Sequence, residues 1–432
     1  MLQASLVAGE TGFLHAESKR RHMSHDRRES GFKRRTRVEE ALATLLDTVD
    51  PHGRTETVPL GEADGRVLAE PVHAPAPVPS YDRAAMDGYA VRAEDTFGAS
   101  DRSPVVLRTA EESVTPWEAV RVHTGGALPE GADAVVMIEH VEVVGDELEA
   151  FDAVASGENV GPTGEDVAEG QQLYDAGETL HPSDLGLLKS VGLDSVDLFE
   201  RPTVAVIPTG EELVQSSPEP GEVIETNGLT VSRLVERWGG TARYRDVVTD
   251  DEDALADAVD RDLDADVVVT TGGSSVGERD LIPEVVDEMG EVLVHGVALK
   301  PGHPVCLGRV ERTPVLSLPG YPVACIVNAV QFLRPTQKRI GGTTAEPFST
   351  HRARLDRKVA SEPGTRTFAR VKLSENSSED DGPRFVATPT RASGSGVLSS
   401  VALADGWVVV PESVEGLDAG ETVDVELWEG TE

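Results

Sequence analysis

Hydrophobic and polar positions follow several different rhythms along this chain, and the changes of rhythm divide it. Val38, Ala41, Leu42, Leu45, Leu46 and Val49 fall at helical spacing, and His52-Gly53 ends that helix. From Thr55 to about residue 201 the pattern is short strands and turns, as in Val105-Val106-Leu107, Ala134-Val135-Val136-Met137-Ile138 and Val141-Glu142-Val143-Val144. Residues 202–340 read differently. A β-branched run from Thr203 to Ile207 stops at Pro208-Thr209-Gly210, and the spacing predicts a helix over 228–238 and a strand near 242–248. Thr249 is the expected cap of a helix over 251–259, whose first turn carries acids that suit the helix dipole. A buried strand is expected over 266–270, running into Gly272-Gly273, and another over 315–318, ending at Pro319-Gly320 before a helix that opens at Pro322. Strands that alternate with helices and lack polar alternation predict a parallel sheet covered on both faces. Strands expected over 367–373, 385–388, 406–410 and 422–427 predict a small β-barrel or sandwich at the end. Residues 1–36 are basic, with little apolar matter, and read as a disordered arm in which Met23 offers a second start.

Composition sharpens this picture. A chain of 432 residues exceeds one core; at roughly 100–200 residues per domain it predicts about three. Aromatics are only 4%, so Val, Leu and Ala must build those cores. The net charge is −38, from 77 Asp plus Glu against 39 Lys plus Arg, spread over the whole length. Such a surface repels nucleic acid and anionic lipid, which excludes both as main partners. Only 7 of the basic residues are lysine. An acid-rich, lysine-poor surface predicts a halophilic protein, working where the Debye length is ~3 Å or less. The two cysteines, Cys306 and Cys325, make no disulfide framework or metal-binding pair. No apolar run approaches the ~18 residues of a membrane span. The stretch from Leu2 to Ala8 is too short for a signal peptide's apolar core, so a cytoplasmic location is expected.

Ligands of an open α/β sheet bind outside the carboxyl ends of its strands. Four loops of special composition follow the expected strands: Pro208-Thr209-Gly210-Glu211-Glu212, Thr271-Gly272-Gly273-Ser274-Ser275-Val276-Gly277-Glu278-Arg279-Asp280, Lys300-Pro301-Gly302-His303-Pro304 and Leu318-Pro319-Gly320-Tyr321-Pro322. In the second, glycines let backbone N–H groups approach an anion while Ser274 and Ser275 add donors, which makes a phosphate cradle. A tight strand-to-helix turn would use the same residues; four such loops at strand ends favour the cradle. Glu212, Asp250 and Asp280 stand at or just beyond strand ends, and carboxylates beside bound phosphates are how Mg²⁺ is usually held. With so many acids chance placement is easy, so Glu212 and Asp280 are read as functional and Asp250 is left open. Lys300 escapes that objection, because lysine is scarce and a cation there can neutralise an oxyanion.

At these loops the sequence resembles the molybdopterin molybdenumtransferase family, the MoeA type shared with the gephyrin E domain. The resemblance spans about residues 36–430. It is carried also by Ala84-Ala85-Met86-Asp87-Gly88-Tyr89-Ala90, by the run from Thr124-Gly125-Gly126 to Ala134-Val135-Val136, and by Gly164-Glu165-Asp166. The resemblance implies a multidomain α/β plus β fold: a discontinuous N-terminal domain (37–73 and 171–201), an inserted β-rich domain (74–170), an α/β molybdopterin-binding-like domain with a parallel-rich sheet (202–345), and a C-terminal β-barrel (346–432). It implies a homodimer. Carried over by motif, Asp280, Lys300, Glu212 and Asp250 match catalytic positions, with Asp280 and Glu212 as metal ligands. Thr209, Gly210, Gly272, Gly273, Ser274, Ser275, Pro301, Gly302, Pro319, Gly320, Asp87 and Asp166 match substrate-binding positions, and Lys300, Arg370 and Ser395 match positions that help bind molybdate. The chemistry implied is insertion of Mo from molybdate into adenylylated molybdopterin, with Mg²⁺-dependent release of AMP. The chain departs from the pattern at Gly296 and His303, where many members carry basic residues, at Tyr321, which replaces an Asn, and at Ala324, which replaces a Ser. Two other functions stay in play: the preceding adenylyltransferase, which shares the α/β fold, and a non-enzymatic pterin-binding or scaffold protein. The N-terminal region and barrel speak against the first, and the retained acids and Lys300 against the second.

Overall fold

The structure is a computed structural model that describes residues 35–272, 281–376, 382–390 and 395–430. The expected basic arm lies almost wholly outside them. The chain divides into two compact units, one of residues 1–54 with 200–432 and one of 55–199.

The first unit opens with helix α1 (Val38–Leu46), shorter than its apolar pattern suggested. It then builds a mixed sheet. In chain order come β1 (Thr203–Pro208), α2 (Asn227–Arg237), β2 (Thr241–Tyr244), α3 (Glu252–Arg261), β3 (Val267–Thr271), α4 (Ile282–Met289) and β4 (Glu291–His295). Strand β5 (Leu299–Lys300) follows, then β6 (Cys306–Val310), β7 (Thr313–Leu318), α5 (Pro322–Asn328) and α6 (Arg334–Ile340). The sheet order is β2-β1-β3-β7-β6-β4. The first four strands run parallel, and β6 is antiparallel to both neighbours. The expected parallel-rich sheet is observed, with its antiparallel part at one side: Thr313 follows Val310 so closely that only a hairpin fits, whereas a parallel return needs a long crossover. Both faces are buried, as the unbroken apolar runs require. Val204, Val206, Val267 and Val269 pack beneath α2 and α5, while Ala205, Ile207 and Val268 pack on Leu255, Val259, Ile282 and Val286 of α3 and α4.

The chain then forms β8 (Thr350–Leu355), β9 (Arg366–Glu375), β10 (Phe385–Pro389), β11 (Gly406–Val410) and β12 (Thr422–Glu426). Their order β9-β10-β8-β12-β11 closes by pairing of β9 with β11, giving a five-stranded barrel, and β5 adds to β9 from outside. Barrel and α/β layer share a core. Phe368, Trp407 and Trp428 belong to the same buried cluster as Trp238, Phe332 and the sheet valines, with Trp407 stacked on Trp428 at 4.9 Å between ring centroids.

The second unit carries its own six-stranded sheet, which includes Gly88–Val91, Val105–Ala110, Glu118–Val122 and Ala134–Met137. A separate two-stranded ladder pairs Thr55–Pro59 with Ser195–Phe199. No helix among the described residues is long and apolar enough to cross a membrane.

Candidate active site at the sheet edge

Strands β1 and β3 are neighbours, and both end at the same edge. Gly272 there has φ +139°, and its N–H donates to Leu318 O at 3.0 Å. A Cβ at this position would meet Thr209 O at 2.3 Å, so only glycine lets the two strand ends touch. The side chains of Thr209, Thr270 and Thr271 are buried, and their hydroxyls have no hydrogen-bond partner among the described residues. Buried hydroxyls normally find partners, so each marks a place for a water or polar group; Thr270 and Thr271, successive in β3, face opposite sides of the sheet, and Thr209 Oγ1 lies 2.8 Å from where a Cβ on Gly272 would stand. The next loop is tied in by Asn227, whose Nδ2 donates to Gly320 O at 2.7 Å, beside Pro319. Gly273, Ser274, Ser275 and Asp280 lie outside the described residues, so the expected cradle is seen only to Gly272.

The segments that carry Glu212 and Asp250 meet on the flank of this edge. Gly210 N–H donates to Val248 O at 3.1 Å and Thr209 bridges Val248, so the segment leading to Asp250 runs alongside the Glu212 loop. Glu212 folds back over Gly210: its carboxylate oxygens lie 3.0 Å from where a Cβ on Gly210 would stand. Asp251, not Thr249, caps α3, accepting Ala254 N–H at 3.0 Å. The expected strand over 242–248 ends at Tyr244, and the remainder of that stretch connects to this edge.

Sequence reasoning missed one acid. Glu225 is only 6% exposed. Its carboxylate accepts Gly228 N–H at 2.6 Å and the Tyr244 hydroxyl, so it ties the start of α2 to the end of β2. Burial, then the hydrogen bond to Glu225, pushes the Tyr244 phenol up to about 12. The run Glu225-Thr226-Asn227-Gly228 is a helix-start signal that could have drawn the eye.

Lys300 is placed differently from expectation. It does not simply follow a sheet strand; it lies in β5, paired with Thr367 of the barrel. Its Nζ meets Glu362 Oε1 at 2.8 Å. Beyond the cis Lys300-Pro301 bond, Gly302 has φ +112°, and a Cβ there would stand 2.2 Å from Asn328 Nδ2. Asn328, fully buried in α5, donates to Gly302 O at 3.0 Å and Ala324 O at 2.8 Å, and so pins the Lys300 loop to the helix that follows Gly320. A π-turn, Ala329–Leu333, begins immediately after it. His303 is half-buried, and burial is the main cause that lowers its imidazole below the ordinary histidine range. Ser395 O accepts Val323 N–H at 3.0 Å, which sets the Ser395 turn on the first residues of α5 near Ala324. Arg370 in β9 is 4% exposed, and burial lowers its pKa. One unit thus carries Thr209, Gly210, Glu212, Asp250, Gly272, Pro319 and Gly320 along one edge, while Lys300, Pro301, Gly302 and Ser395 converge on α5.

The other two acids stand on the second unit. Asp87 Oδ1 accepts the Thr124 N–H at 2.7 Å and the Thr124 hydroxyl at 2.9 Å, which hold its carboxyl below the usual range. Asp166 is exposed, with its N–H on Val78 O at 2.9 Å. Their segments are joined by pairing of Ala84 with Val160 and of Val78 with Val167. Among the described residues no three His, Cys, Asp or Glu side chains form a metal cluster.

Three family profiles match in succession: the MoeA N-terminal region (domain I and II) over 36–192, one described as a probable molybdopterin binding domain over 205–339, and the MoeA C-terminal region (domain IV) over 352–428. A Methanocaldococcus jannaschii protein named for molybdopterin biosynthesis is 38% identical, over 89% of this chain and 94% of its own length. The chain belongs to the MoeA family. A molybdopterin molybdenumtransferase of Bacillus subtilis is 32% identical over 90% of this chain and 93% of its own. The crystal structure of the molybdopterin biosynthesis MoeA protein from Pyrococcus horikosii superposes with a TM-score of 0.80 at 37% identity, covering 92% of this chain and all of that one. The resemblance read from the motif loops is borne out, and so is the multidomain fold with its α/β domain and closed barrel.

Proposed function

We propose that this chain is a molybdopterin molybdenumtransferase, acting in molybdenum cofactor biosynthesis on adenylylated molybdopterin and molybdate. The observation that carries the reading is the sheet edge: the Gly272–Thr209 contact, with the Thr209 hydroxyl unpartnered among the described residues and the Glu212 and Asp250 segments alongside, in a chain of this family. In this reading the donors of the Gly273-Ser274-Ser275 run that follows bind the substrate's phosphates without a full countercharge. Lys300, on its own loop, supplies that charge to an oxyanion, with Arg370 and Ser395 contributing from the barrel side. As the two dithiolene thiols bond to Mo, their protons leave with one displaced oxo group as water. The phosphoanhydride P–O bond breaks with water adding to phosphorus, and AMP departs.

Mg²⁺ is part of this reading. The described donors fit it, because Glu212 and Asp250 offer hard oxygens on adjoining segments and the ion needs only one or two carboxylates beside substrate phosphates. When bound it supplies positive charge to the leaving phosphate. Asp280 is read from its motif as a ligand together with Glu212. The active form is a homodimer in the cytoplasm, and the −38 charge suits it to high salt.

The decisive measurement is AMP release from adenylylated molybdopterin with and without molybdate and Mg²⁺. Release that depends on both supports the reading. Consumption of ATP to make the adenylylated pterin would assign the preceding step instead, and binding without any turnover would leave a scaffold. A monomer that is fully active in sedimentation at assay concentration overturns the dimer, and a thermal midpoint that stays flat from ~0.1 M to multimolar KCl overturns the adaptation to salt.

A further inference from the structure

Lys300 already holds an anion. Its ammonium sits 2.8 Å from the Glu362 carboxylate, and the two side chains are 49% and 60% exposed. Two cations act on that one acid, Lys300 foremost and then Arg35, with the His303 imidazole beside them. They are stitched together locally. Thr36 N–H donates to Gly296 O, Ala298 N–H to Thr36 O, and Val297 N–H to His303 O. On a chain of net charge −38, a place where two cations and an imidazole face one carboxylate runs against the general pattern. Nor does the pair brace a core, since ion pairs this open to water contribute little to stability.

We propose that Glu362 is an internal competitor for the oxyanion at Lys300: it keeps the lysine occupied until a doubly charged oxyanion displaces it, and so bars singly charged anions such as chloride. The inference rests on the reading that Lys300 receives molybdate. A dianion gains about twice the attraction of a carboxylate from the same cations. A single free anion gains no more than the carboxylate does, and must also give up its translational freedom, which the tethered Glu362 does not.

The test is calorimetric titration of the full chain with sodium molybdate at fixed ionic strength, in potassium gluconate and in potassium chloride. The Glu362→Gln variant should bind molybdate roughly 2–5-fold more tightly than the parent in gluconate, the range expected for loss of one exposed ion pair. Chloride should erase that gain in the variant and leave the parent nearly unchanged. Glu375→Gln, which removes another exposed barrel acid paired with an arginine, Arg384, should behave as the parent. Weaker binding by Glu362→Gln would mean that Glu362 braces the lysine, and unchanged binding would mean that it is idle; either overturns the proposal, as does molybdate binding to neither protein. Turnover is scored separately. If AMP release proves indifferent to molybdate, the wider reading falls, while the titration still judges Glu362 by anion affinity alone.

Discussion

Two loops of the larger unit are held by opposite means. At Gly272 the chain is fixed by backbone against backbone, with a neighbour 2.3 Å from any added Cβ and the buried Thr209 hydroxyl beside it. At Lys300 the reactive end is free in water and restrained by one exposed carboxylate, while its loop is anchored from beneath by Asn328. The first arrangement fixes position and tolerates nothing. The second fixes the loop but lets the charge move, which suits a group that must release one anion to take another.

Breaking the rigid side should cost the most. Gly272→Ala is expected to lower stability by roughly 2–5 kcal/mol, from the backbone clash and the unfavourable φ together, and to abolish AMP release; urea unfolding and turnover measured on one preparation check it. Lys300→Ala should separate the two properties. Activity should fall about 10²–10³-fold, as for loss of one preorganised electrostatic group, while the unfolding midpoint stays near the parent's. An equal fall in midpoint would show that the lysine is structural. Asn328→Ala lies between. Losing a buried donor that serves Gly302 and Ala324 should cost about 1–3 kcal/mol, and a loosened Lys300 loop should raise KM for molybdate more than it lowers kcat. A variant that is merely less stable, with parental KM, would refute the anchoring role. Asp251→Ala should do least, removing only the cap of α3 for about 1 kcal/mol with turnover intact. If it were as inactive as Lys300→Ala, the acid at this edge would be Asp251 rather than Asp250.

The same contrast governs what the sequence disclosed. The ends of β1, β3 and β7 were readable at Thr209, Gly272 and Gly320, because a strand buried on both faces must be apolar throughout and must stop at residues that permit a sharp turn. The barrel strands were readable for a similar reason. The seat of Lys300 was not, since its partners Glu362 and Thr367 lie more than sixty residues away and no local rhythm records a strand that changes sheets. Asn328 was hidden inside an apolar helix, where one polar residue looks like an exception until Gly302 is seen against it. Glu225 was lost among 77 acids. Asp280, Ser274 and Ser275 were read from their place after a buried strand and from the motif, and lie outside the described residues.

The aromatic cluster shared by the barrel and the α/β layer carries a further consequence. Trp238, Trp407 and Trp428 sit in one core, while Trp117 stands exposed on the other unit. Intrinsic fluorescence is therefore a two-channel reporter, blue-shifted emission following the large unit and red emission the small one. The C-terminal barrel is not an exchangeable module. Cutting the chain before Thr350 would leave Trp238 and Phe332 facing a missing wall, and the truncated piece should bind hydrophobic dyes and aggregate rather than persist as a free pterin-binding domain.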